Sequence, residues 1–466
     1  MSSCKIFVPF GAVGLGSTSV GITDEAFEEA LSLGPDIISC DAGSTDSGPY
    51  YLGSGNCKYT RMAVKRDLKR IVTAADRLKI PVTIGSCGTC GVDKGVDWVT
   101  ELVKEICREE KLPPKKIAKI YTEQSGEVIK QKYLAGKVHA LDAAPEINED
   151  TFLECSHIVA LAGVEPFQKA LSEGADIVLC GRCTDTAVVA AYPLMKGCHP
   201  GAVWHGSKIM ECGAACTELS KGGGVFMEVD EKGFSLQATG KGNRCTVYTV
   251  SAHMLYENAD PFCEYEPGGH FDITNAEYTQ VTDSKVYVSH SEFFPAEQYT
   301  MKLEGSAPAG YQAITLVGIR DVRIMKDPKT WIDSVCELVQ GQLDAMGYDK
   351  KDYSYQIKPY GYNAVSGVAV PEGYVPNELG ILLVVTAKTQ EMATLIAKVF
   401  NPCLLHHPHP AAKGELVPSY AFPFSPAEVA KGPLYEFRLN HIVLVDDPME
   451  LVRICYTNSD DEEVHV

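Results

Sequence analysis

The sequence predicts an α/β protein in which a mainly parallel, Rossmann-like sheet is followed by an α+β, ferredoxin-like C-terminal part. Residues 4–195 alternate short apolar runs with amphipathic helical runs, which is the pattern of consecutive βαβ units. Polar, glycine-rich loops follow several of these apolar runs, as they do at the carboxyl ends of parallel strands. Residues 313–445 show the order strand, helix, strand, strand, helix, strand, which is that of a ferredoxin-like unit.

The N-terminal elements follow from this alternation. A helix is predicted to begin at Thr23 or Asp24, because such side chains accept hydrogen bonds from the first turn of a helix. Pro113 and Pro114 end a later helix, because proline has no N–H to donate. The predicted strands lie at 5–10, 36–40, 81–85, 116–121, 138–141, 157–162 and 176–179, and the predicted helices at 24–33, 60–79, 95–110, 126–135 and from 165.

A chain of 466 residues is too long for one hydrophobic core, so several domains are expected. We predict a parallel-sheet domain at 1–197, a glycine-rich insertion or substrate domain at 198–312, an α+β domain at 313–456 and an acidic, disordered tail at 457–466. Further predicted helices lie at 250–258, 329–346 and 390–400, and further strands at 353–360, 380–387 and 435–445.

The net charge and the composition indicate which classes of binding partner the protein can have. With 42 basic and 61 acidic residues the formal net charge is −19, which argues against nucleic acid and anionic membranes as partners. No apolar run approaches the roughly 20 residues that cross a bilayer, and the N-terminus lacks the features of a signal peptide. The 17 cysteines fit a reducing compartment. We therefore expect a cytoplasmic protein, a homo-oligomer, that binds a small molecule.

The loop 41–55 is the first predicted site. It follows an apolar strand and combines glycines, hydroxyls and carboxylates. Glycines allow N–H groups to approach an anion closely, and hydroxyls add further donors. The alternative is an ordinary surface turn. The loop residues predicted to bind substrate are Asp41, Gly43, Ser44, Thr45, Asp46 and Tyr50.

A second predicted site follows the strand 176–180. Arg182 can hold a carboxylate through two parallel hydrogen bonds, although a structural ion pair is an equal alternative. Thr184 is placed with it in the binding site, and Asp185 can either cap the next helix or act as a base. Because parallel strands end at one edge of a sheet, Asp41 and Arg182 are expected at the same edge.

Two other sequence patterns each have more than one functional interpretation. Gly11, Gly14 and Gly16 follow a strand and precede a helix, as in a dinucleotide site, but their spacing is not G-x-G-x-x-G. A backbone turn or a cradle for phosphate or carboxylate fits the spacing better. His253 and Glu257 lie four residues apart on a predicted helix, so they can form an acid/base pair, a divalent metal site or an ordinary surface pair.

Several cysteines are paired closely in sequence. Such thiols can hold zinc or an iron–sulfur cluster, but they can also fill strand ends as small buried residues. We predict that they bind no metal, and the sequence identifies no cofactor, with a divalent metal or an iron–sulfur cluster as the alternatives. The pairs are Cys87 and Cys90, Cys180 and Cys183, and Cys212 and Cys216.

Motifs at 41–53, 181–187, 211–214, 252–261 and 266–269 resemble those of the acyclic terpene utilisation AtuA-like family. The resemblance runs from near the N-terminus to about residue 400, and the run 435–447 resembles the start of the small companion domain of that family. It implies a catabolic role on branched or carboxylated compounds. The matching positions are Asp41, Ser44, Thr45, Asp46, Tyr50, Arg182, Asp185, Glu211, Cys212, His253, Glu257 and Asn258. Cys87, Cys90 and Cys183 depart from the small residues expected there.

Together these observations predict a catabolic enzyme that acts on a small carboxylate or an acyl-CoA-type thioester by acid/base chemistry. Hydration or dehydration, the chemistry of a lyase, is favoured over isomerisation and hydrolysis. The alternatives are an NAD(P)-dependent oxidoreductase and a non-catalytic subunit that needs a partner. The predicted catalytic residues are Glu211, His253, Asp185, Glu257 and Cys212, and Asn258 joins the substrate-binding residues named above.

Overall fold

A computed structural model of the protein describes residues 3–16, 21–256, 258–412 and 420–461. The chain is a mixed α/β protein, as the alternation of apolar runs predicts. It forms two compact units. Unit 1 comprises Met1–Ala307 with Phe437–Val466, and unit 2 comprises Pro308–Glu436.

The strands and helices are numbered in chain order. The strands are β1 (Cys4–Val8), β2 (Ile37–Cys40), β3 (Val82–Ile84), β4 (Lys116–Tyr121), β5 (Glu123–Gln124), β6 (Val138–Ala140), β7 (His157–Ala160), β8 (Ile177–Cys180), β9 (Gly224–Val229), β10 (Gly233–Thr239), β11 (Cys263–Glu266), β12 (Gly269–Asp272), β13 (Glu277–Thr282), β14 (Lys285–Ser289), β15 (Glu292–Pro295), β16 (Thr300–Ile319), β17 (Tyr353–Tyr360), β18 (Leu379–Ala387), β19 (Tyr420–Ala421), β20 (Glu428–Leu444) and β21 (Arg453–Asn458). The α-helices are α1 (Asp24–Ser32), α2 (Pro49–Ser54), α3 (Arg61–Leu78), α4 (Asp93–Glu109), α5 (Gly126–Leu134), α6 (Thr151–Glu154), α7 (Glu165–Ser172), α8 (Asp185–Met195), α9 (Pro200–Met210), α10 (Val247–Ala252), α11 (Val322–Lys326), α12 (Pro328–Ala345) and α13 (Gln390–His406). Short 3-10 helices occupy Gly213–Cys216 and His253–Leu255.

The main sheet of unit 1 has ten strands in the order β13-β14-β10-β9-β1-β2-β3-β8-β4-β21. The central strands β1, β2, β3, β8 and β4 are parallel, whereas the flanking strands on both sides pair antiparallel. The predicted mainly parallel, Rossmann-like sheet is therefore not confirmed. The physical reason lies in the connections, because the few residues between β9 and β10 and between β13 and β14 can join only antiparallel strands.

Of the predicted domain 198–312, residues 198–307 belong to unit 1 and residues 308–312 to unit 2. Strand β9 pairs with β1 from Cys4 opposite Val229 to Val8 opposite Val225, so this region continues the main sheet. The predicted strands 138–141 and 157–162 do not join that sheet. Instead β6 pairs with residues 441–443 of β20, and β7 pairs with β5 and with residues 303–306 of β16.

The sheet separates two hydrophobic cores, because successive residues of a strand point to opposite faces. Ile37 packs with helix α8 and the buried Trp204 on one face. The next residue, Ile38, packs with helices α1, α3 and α4 on the other face. All four residues of β2 and of β8 are buried, which explains why these strands read as continuous apolar runs.

The C-terminal end of the chain differs from its prediction. Thr457 and Asn458, assigned to a disordered tail, pair with Ile117 and Lys116 of β4 as the last residues of β21. These residues extend the β-rich run before them, which outweighs the acidic composition that follows. The remaining tail residues 462–466 lie outside the described part of the chain.

Unit 2 contains the 308–319 part of β16, then α12, β17, β18, α13 and the 428–436 part of β20. The strand order is β17-β18-β16-β20, and β18 is antiparallel to both of its neighbours. Trp331, Val335 and Val339 of α12 pack against the buried face of the sheet. None of the helices in the described residues is long and apolar enough to cross a membrane.

The parallel ends of the main sheet carry the loops that form the site. Asp41 follows β2 and Arg182 follows β8, and these ends lie at the same edge. The loop after β3 touches the loop after β8, where the Arg182 N–H donates to the Gly91 carbonyl oxygen at 3.1 Å. Gly91 has a φ of +67°, and a Cβ there would lie 2.1 Å from the Arg182 nitrogen.

We expect Gly91→Ala to destabilise the protein more than Gly174→Ala. Both glycines have positive φ, so both substitutions carry a strain of about 1–2 kcal/mol. Gly174 has nothing within 4 Å of the added Cβ, whereas Gly91 meets backbone atoms. Urea unfolding of both variants measures the difference. Equal destabilisation would show that the two loops do not approach as described.

Candidate active site

A cavity of about 750 Å³ opens at the carboxyl ends of β1 and β2 in unit 1. Loops at the carboxyl ends of parallel strands are the usual ligand-binding places of such sheets. The walls of the cavity contain carboxylates, an imidazole, a thiol, an ammonium group, hydroxyls and apolar side chains. The lining residues are Pro9, Phe10, Gly11, Ala12, Leu15, Asp41, Gly43, Ser44, Asp46, Ser47, Lys58, Tyr59, Thr89, Asp185, Cys212, Ala214, Ala215, Thr217, Ser220, Gly223, Tyr248, Thr249, Ala252, His253 and Tyr256.

Asp41 is the most deeply buried carboxylate of the cavity wall, with 5% of its surface exposed. Its Oδ2 accepts a hydrogen bond from the Gly43 N–H at 2.7 Å, whereas its buried Oδ1 has no hydrogen-bond partner among the described residues. Burial raises the pKa of Asp41 well above its usual range, the neighbouring Asp185 and Cys183 raise it further, and Arg182 opposes them. The carboxyl group of Asp41 therefore keeps a proton at higher pH than an ordinary aspartate.

Asp185 is the first residue of α8 and also faces the cavity. Thr184 caps this helix, because its Oγ1 accepts a hydrogen bond from the Ala187 N–H at 3.2 Å. The Asp185 side chain is 37% exposed, and its Oδ1 accepts a hydrogen bond from Arg182 Nη1 at 3.1 Å. Partial burial raises the pKa of Asp185, and the Arg182 charge works against that rise.

Arg182 does not line the cavity but lies buried beside it. Its Nε donates to Glu304 Oε2 at 3.0 Å, and its Nη1 donates to Ser86 Oγ at 3.1 Å as well as to Asp185. Glu304 is 4% exposed, so the guanidinium and this carboxylate form a buried ion pair. The structure thus shows the ion pair that the sequence left open as the alternative to substrate binding.

His253 contributes an uncharged imidazole to the wall. It is 7% exposed, and within the described part of the chain its buried Nε2 has no hydrogen-bond partner. Burial lowers the pKa of His253 to about 4, and the positive charge of Lys208 contributes to the decrease. The predicted helix 250–258 differs from the structure, in which α10 ends at Ala252 and His253 begins a 3-10 turn. Glu257 lies outside the described residues.

Glu211, Glu264 and Glu266 form an inner acidic cluster around Lys208. Lys208, Glu211 and Glu264 interact electrostatically with Asp185. Lys208 Nζ lies 2.7 Å from Glu211 Oε1 and 3.7 Å from Glu264 Oε1. The Oε2 atoms of Glu264 and Glu266 are buried, and the described residues provide no hydrogen-bond partner for them. Burial raises the pKa of Glu211 well above its usual range, and burial together with Glu264 raises the pKa of Glu266 to about 8.

The structure brings only part of the predicted site into the cavity wall. The predicted residues that line it are Asp41, Gly43, Ser44, Asp46, Asp185, Cys212 and His253. Those outside the lining are Thr45, Tyr50, Arg182, Thr184, Glu211 and Asn258. Asn258 donates its Nδ2 hydrogen bond to the Met254 carbonyl oxygen at 3.0 Å instead.

Sequence reasoning missed other lining residues. Lys58 and Tyr59 directly follow the loop 41–55, so their position beside that loop was the available signal. Tyr248 and Tyr256 flank His253 at the cavity, but they carry no local pattern that marks them. Their place depends on how α10 and its following turn pack.

The glycine loop after β1 is occupied by an internal carboxylate. The N–H groups of Gly14 and Gly16 both donate to Asp67 Oδ2 at 2.8 Å. Asp67 belongs to α3 and is fully buried. The donors that a pyrophosphate would use in a dinucleotide site are therefore bonded within the protein.

The paired cysteines are buried at the strand ends. Cys87, Cys180 and Cys183 are fully buried, and burial raises the pKa of the Cys87 and Cys180 thiols well above the ordinary value. A raised pKa disfavours the thiolate that binds metal. Among the described residues, no group of three or more His, Cys, Asp or Glu side chains has a geometry that could hold a metal ion.

These features define an α/β protein with a ligand-sized cavity at the carboxyl ends of parallel strands. A family model described as acyclic terpene utilisation family protein AtuA matches residues 58–429, so the chain belongs to this family. The match includes Asp185, Cys212 and His253, whereas Asp41 precedes it. No curated protein and no solved structure matches the chain. The companion-domain resemblance at 435–447 stays a prediction.

We expect Glu304→Gln to lower the free energy of unfolding by about 3–5 kcal/mol, because it leaves the buried Arg182 charge without its main partner. The matched control is Glu28→Gln, which breaks an exposed pair with Arg77 and costs at most about 1 kcal/mol. Chemical denaturation measures both values. Equal effects would mean that the Arg182–Glu304 pair is not buried as described.

We expect Glu266→Gln to gain stability relative to the wild type as the pH rises from about 4.5 to about 8. The pKa of Glu266 is raised in the folded protein, so unfolding releases a proton in this range and wild-type stability falls as the pH rises. Glutamine keeps the shape and does not titrate. Urea unfolding across this pH range measures the difference, with Glu277→Gln, an exposed site, as the control. A pH-independent difference would contradict the buried, protonated Glu266.

Proposed function

We propose that the protein is a catabolic enzyme that carries out acid/base chemistry on a small carboxylate or acyl thioester, with hydration or dehydration as the reaction. The observation that carries the proposal is the buried Oδ1 of Asp41, which has no partner among the residues that the structure describes, in a cavity wall that also holds Asp185 and His253. Groups with shifted pKa values that face one cavity are typical of acid/base catalysts.

A dehydration needs one group to take a proton from the carbon next to a carbonyl and another to give a proton to the leaving hydroxyl. Asp185 is partly exposed and is oriented by Arg182, so it serves as the base. Asp41 retains its proton because its pKa is raised, so it serves as the acid. In the reverse direction Asp41 activates water and Asp185 returns the proton to carbon.

His253 acts as a neutral hydrogen-bonding group in this scheme. Its pKa of about 4 means that it carries no charge near neutral pH, and its unpartnered Nε2 is available to substrate. A neutral imidazole can polarise a carbonyl oxygen without donating a full proton. Cys212 lies in the same wall.

The alternatives are less well supported. A nicotinamide cofactor bound by the glycine loop would have to displace the Asp67 carboxylate from Gly14 and Gly16. A non-catalytic subunit would not need acids with raised pKa values in a cavity of this size. Activity gained only on adding a partner protein would favour that alternative.

We also propose a finer fold assignment for each of the two units. The five adjacent parallel strands support a Rossmann-like core within the mixed sheet of unit 1. The order of elements and the strand order β17-β18-β16-β20 support a ferredoxin-like unit 2. A cytoplasmic location and a homo-oligomeric state stay predictions from the sequence.

We expect the protein in D₂O to exchange hydrogen for deuterium at the carbon next to the carbonyl of a short 3-hydroxyacyl or 2-enoyl substrate. Asp185→Asn and Asp41→Asn should each lower turnover about 10²–10⁴-fold, because each removes a proton-transfer group. NMR measures the exchange, and the absorbance of the conjugated double bond measures dehydration. Asp24→Asn, whose side chain is 91% exposed, serves as the control. Exchange at wild-type rates in both site variants would refute the assignment.

A further inference from the structure

We propose that Lys58 binds an oxyanion of the substrate and thereby sets the direction in which the substrate enters the cavity. This inference rests on the proposed function, since it concerns the ligand of the same cavity. It assigns anion binding to a residue outside the predicted site, in place of Arg182.

Lys58 is held at the cavity by its backbone and its side chain. Its N–H donates to Thr89 Oγ1 at 2.9 Å, which fixes the start of this segment against the loop after β3. Its Nζ donates to Ser47 Oγ at 2.7 Å and lies 5.7 Å from the centre of the Tyr59 ring. Thr89, Ser47 and Tyr59 all line the cavity as well.

Lys58 also differs from the other cations near the site in having no counter-ion. Among the described residues its Nζ bonds a hydroxyl and forms no ion pair. Arg182 is neutralised by Glu304 and Asp185, and Lys208 by the inner acidic cluster. Lys58 is the one Lys or Arg among the described residues that line the cavity.

The rest of the wall repels an anion. Asp46 and Asp185 supply carboxylates to the lining, whereas Asp41 keeps its proton and adds no negative charge. An anionic substrate therefore gains attraction only where its charge lies next to Lys58. Ser47 accepts the lysine hydrogen bond, so its own O–H can donate to the same anion. With its charge held there, the uncharged part of the substrate points towards Asp41 and Asp185.

The ligand chemistry is an oxyanion, and two sources can supply it. One is the carboxylate of a free acid, and the other is a phosphate of a thioester carrier that remains at the cavity mouth. The exposed position of Lys58 fits either source. Four probes separate them: crotonate, its methyl ester, crotonyl-CoA, and the crotonyl thioester of N-acetylcysteamine, which has no phosphate.

The experiment measures the affinity of each probe by calorimetry for the wild type, Lys58→Gln and Lys58→Arg. The control is Lys94→Gln, because Lys94 is exposed nearby, bonds Asn56 at 3.5 Å and does not line the cavity. The probes form two pairs: crotonate with its methyl ester, and crotonyl-CoA with the short thioester that has no phosphate. In each pair, we expect Lys58→Gln to bind the anionic probe about 10- to 100-fold more weakly, which corresponds to the loss of one hydrogen bond to a charged group. Its affinity for the uncharged probe should not change.

The pattern of affinity losses shows whether Lys58 binds a carboxylate or a phosphate. A loss for crotonate but not its ester supports the carboxylate, and a loss for crotonyl-CoA but not the short thioester supports the phosphate. Lys58→Arg should keep most of the affinity, and Lys94→Gln should match the wild type. Unchanged affinities in Lys58→Gln overturn this inference, while deuterium exchange still tests the proposed function separately. Failure of the wild type to bind any probe overturns the inference together with the proposed substrate class.

Discussion

The interior of unit 1 holds more carboxylates than cations, and the site depends on that imbalance. Arg182 and Lys208 are buried and already bonded to carboxylates. Removing a further charge from water without a partner costs several kcal/mol, so the excess acids must keep their protons or face a cavity. Asp41 does both, since it lines the cavity and its pKa is raised. The shortage of buried cations is unfavourable for the fold, but it leaves acids that keep their protons near neutral pH.

Arg182 connects the segments that surround the cavity. Its guanidinium ties the loop after β3, through Ser86, to Glu304 of β16 and to Asp185 at the start of α8. Three sequence-distant segments are thus fixed around one planar group, which has the rigid fork needed to hold them together. Arg182 can therefore control the geometry of the cavity without touching its ligand.

The two proposals assign different tasks to different side chains of one cavity wall. Lys58 supplies the positive charge that an oxyanion needs, and Asp41 and Asp185 supply proton transfer. A substrate whose charge is held by Lys58 presents its carbon chain to the two acids, which is the arrangement that gives selectivity as well as reactivity. Membership of the AtuA family adds a context of acyclic terpene utilisation, and the reaction itself is argued from the side chains.

The sequence by itself determined the features that depend on neighbouring residues. The apolar run before Asp41 and the capping Thr23 before α1 placed a loop and a helix start correctly, because strand burial and caps are local. Tertiary structure decided which groups became partners. Arg182 pairs with Glu304, 122 residues away, and the glycine loop with Asp67, whose carboxylate lies 53 residues from Gly14. Local pattern cannot fix such pairs, because burial and charge balance become defined only when distant segments pack together.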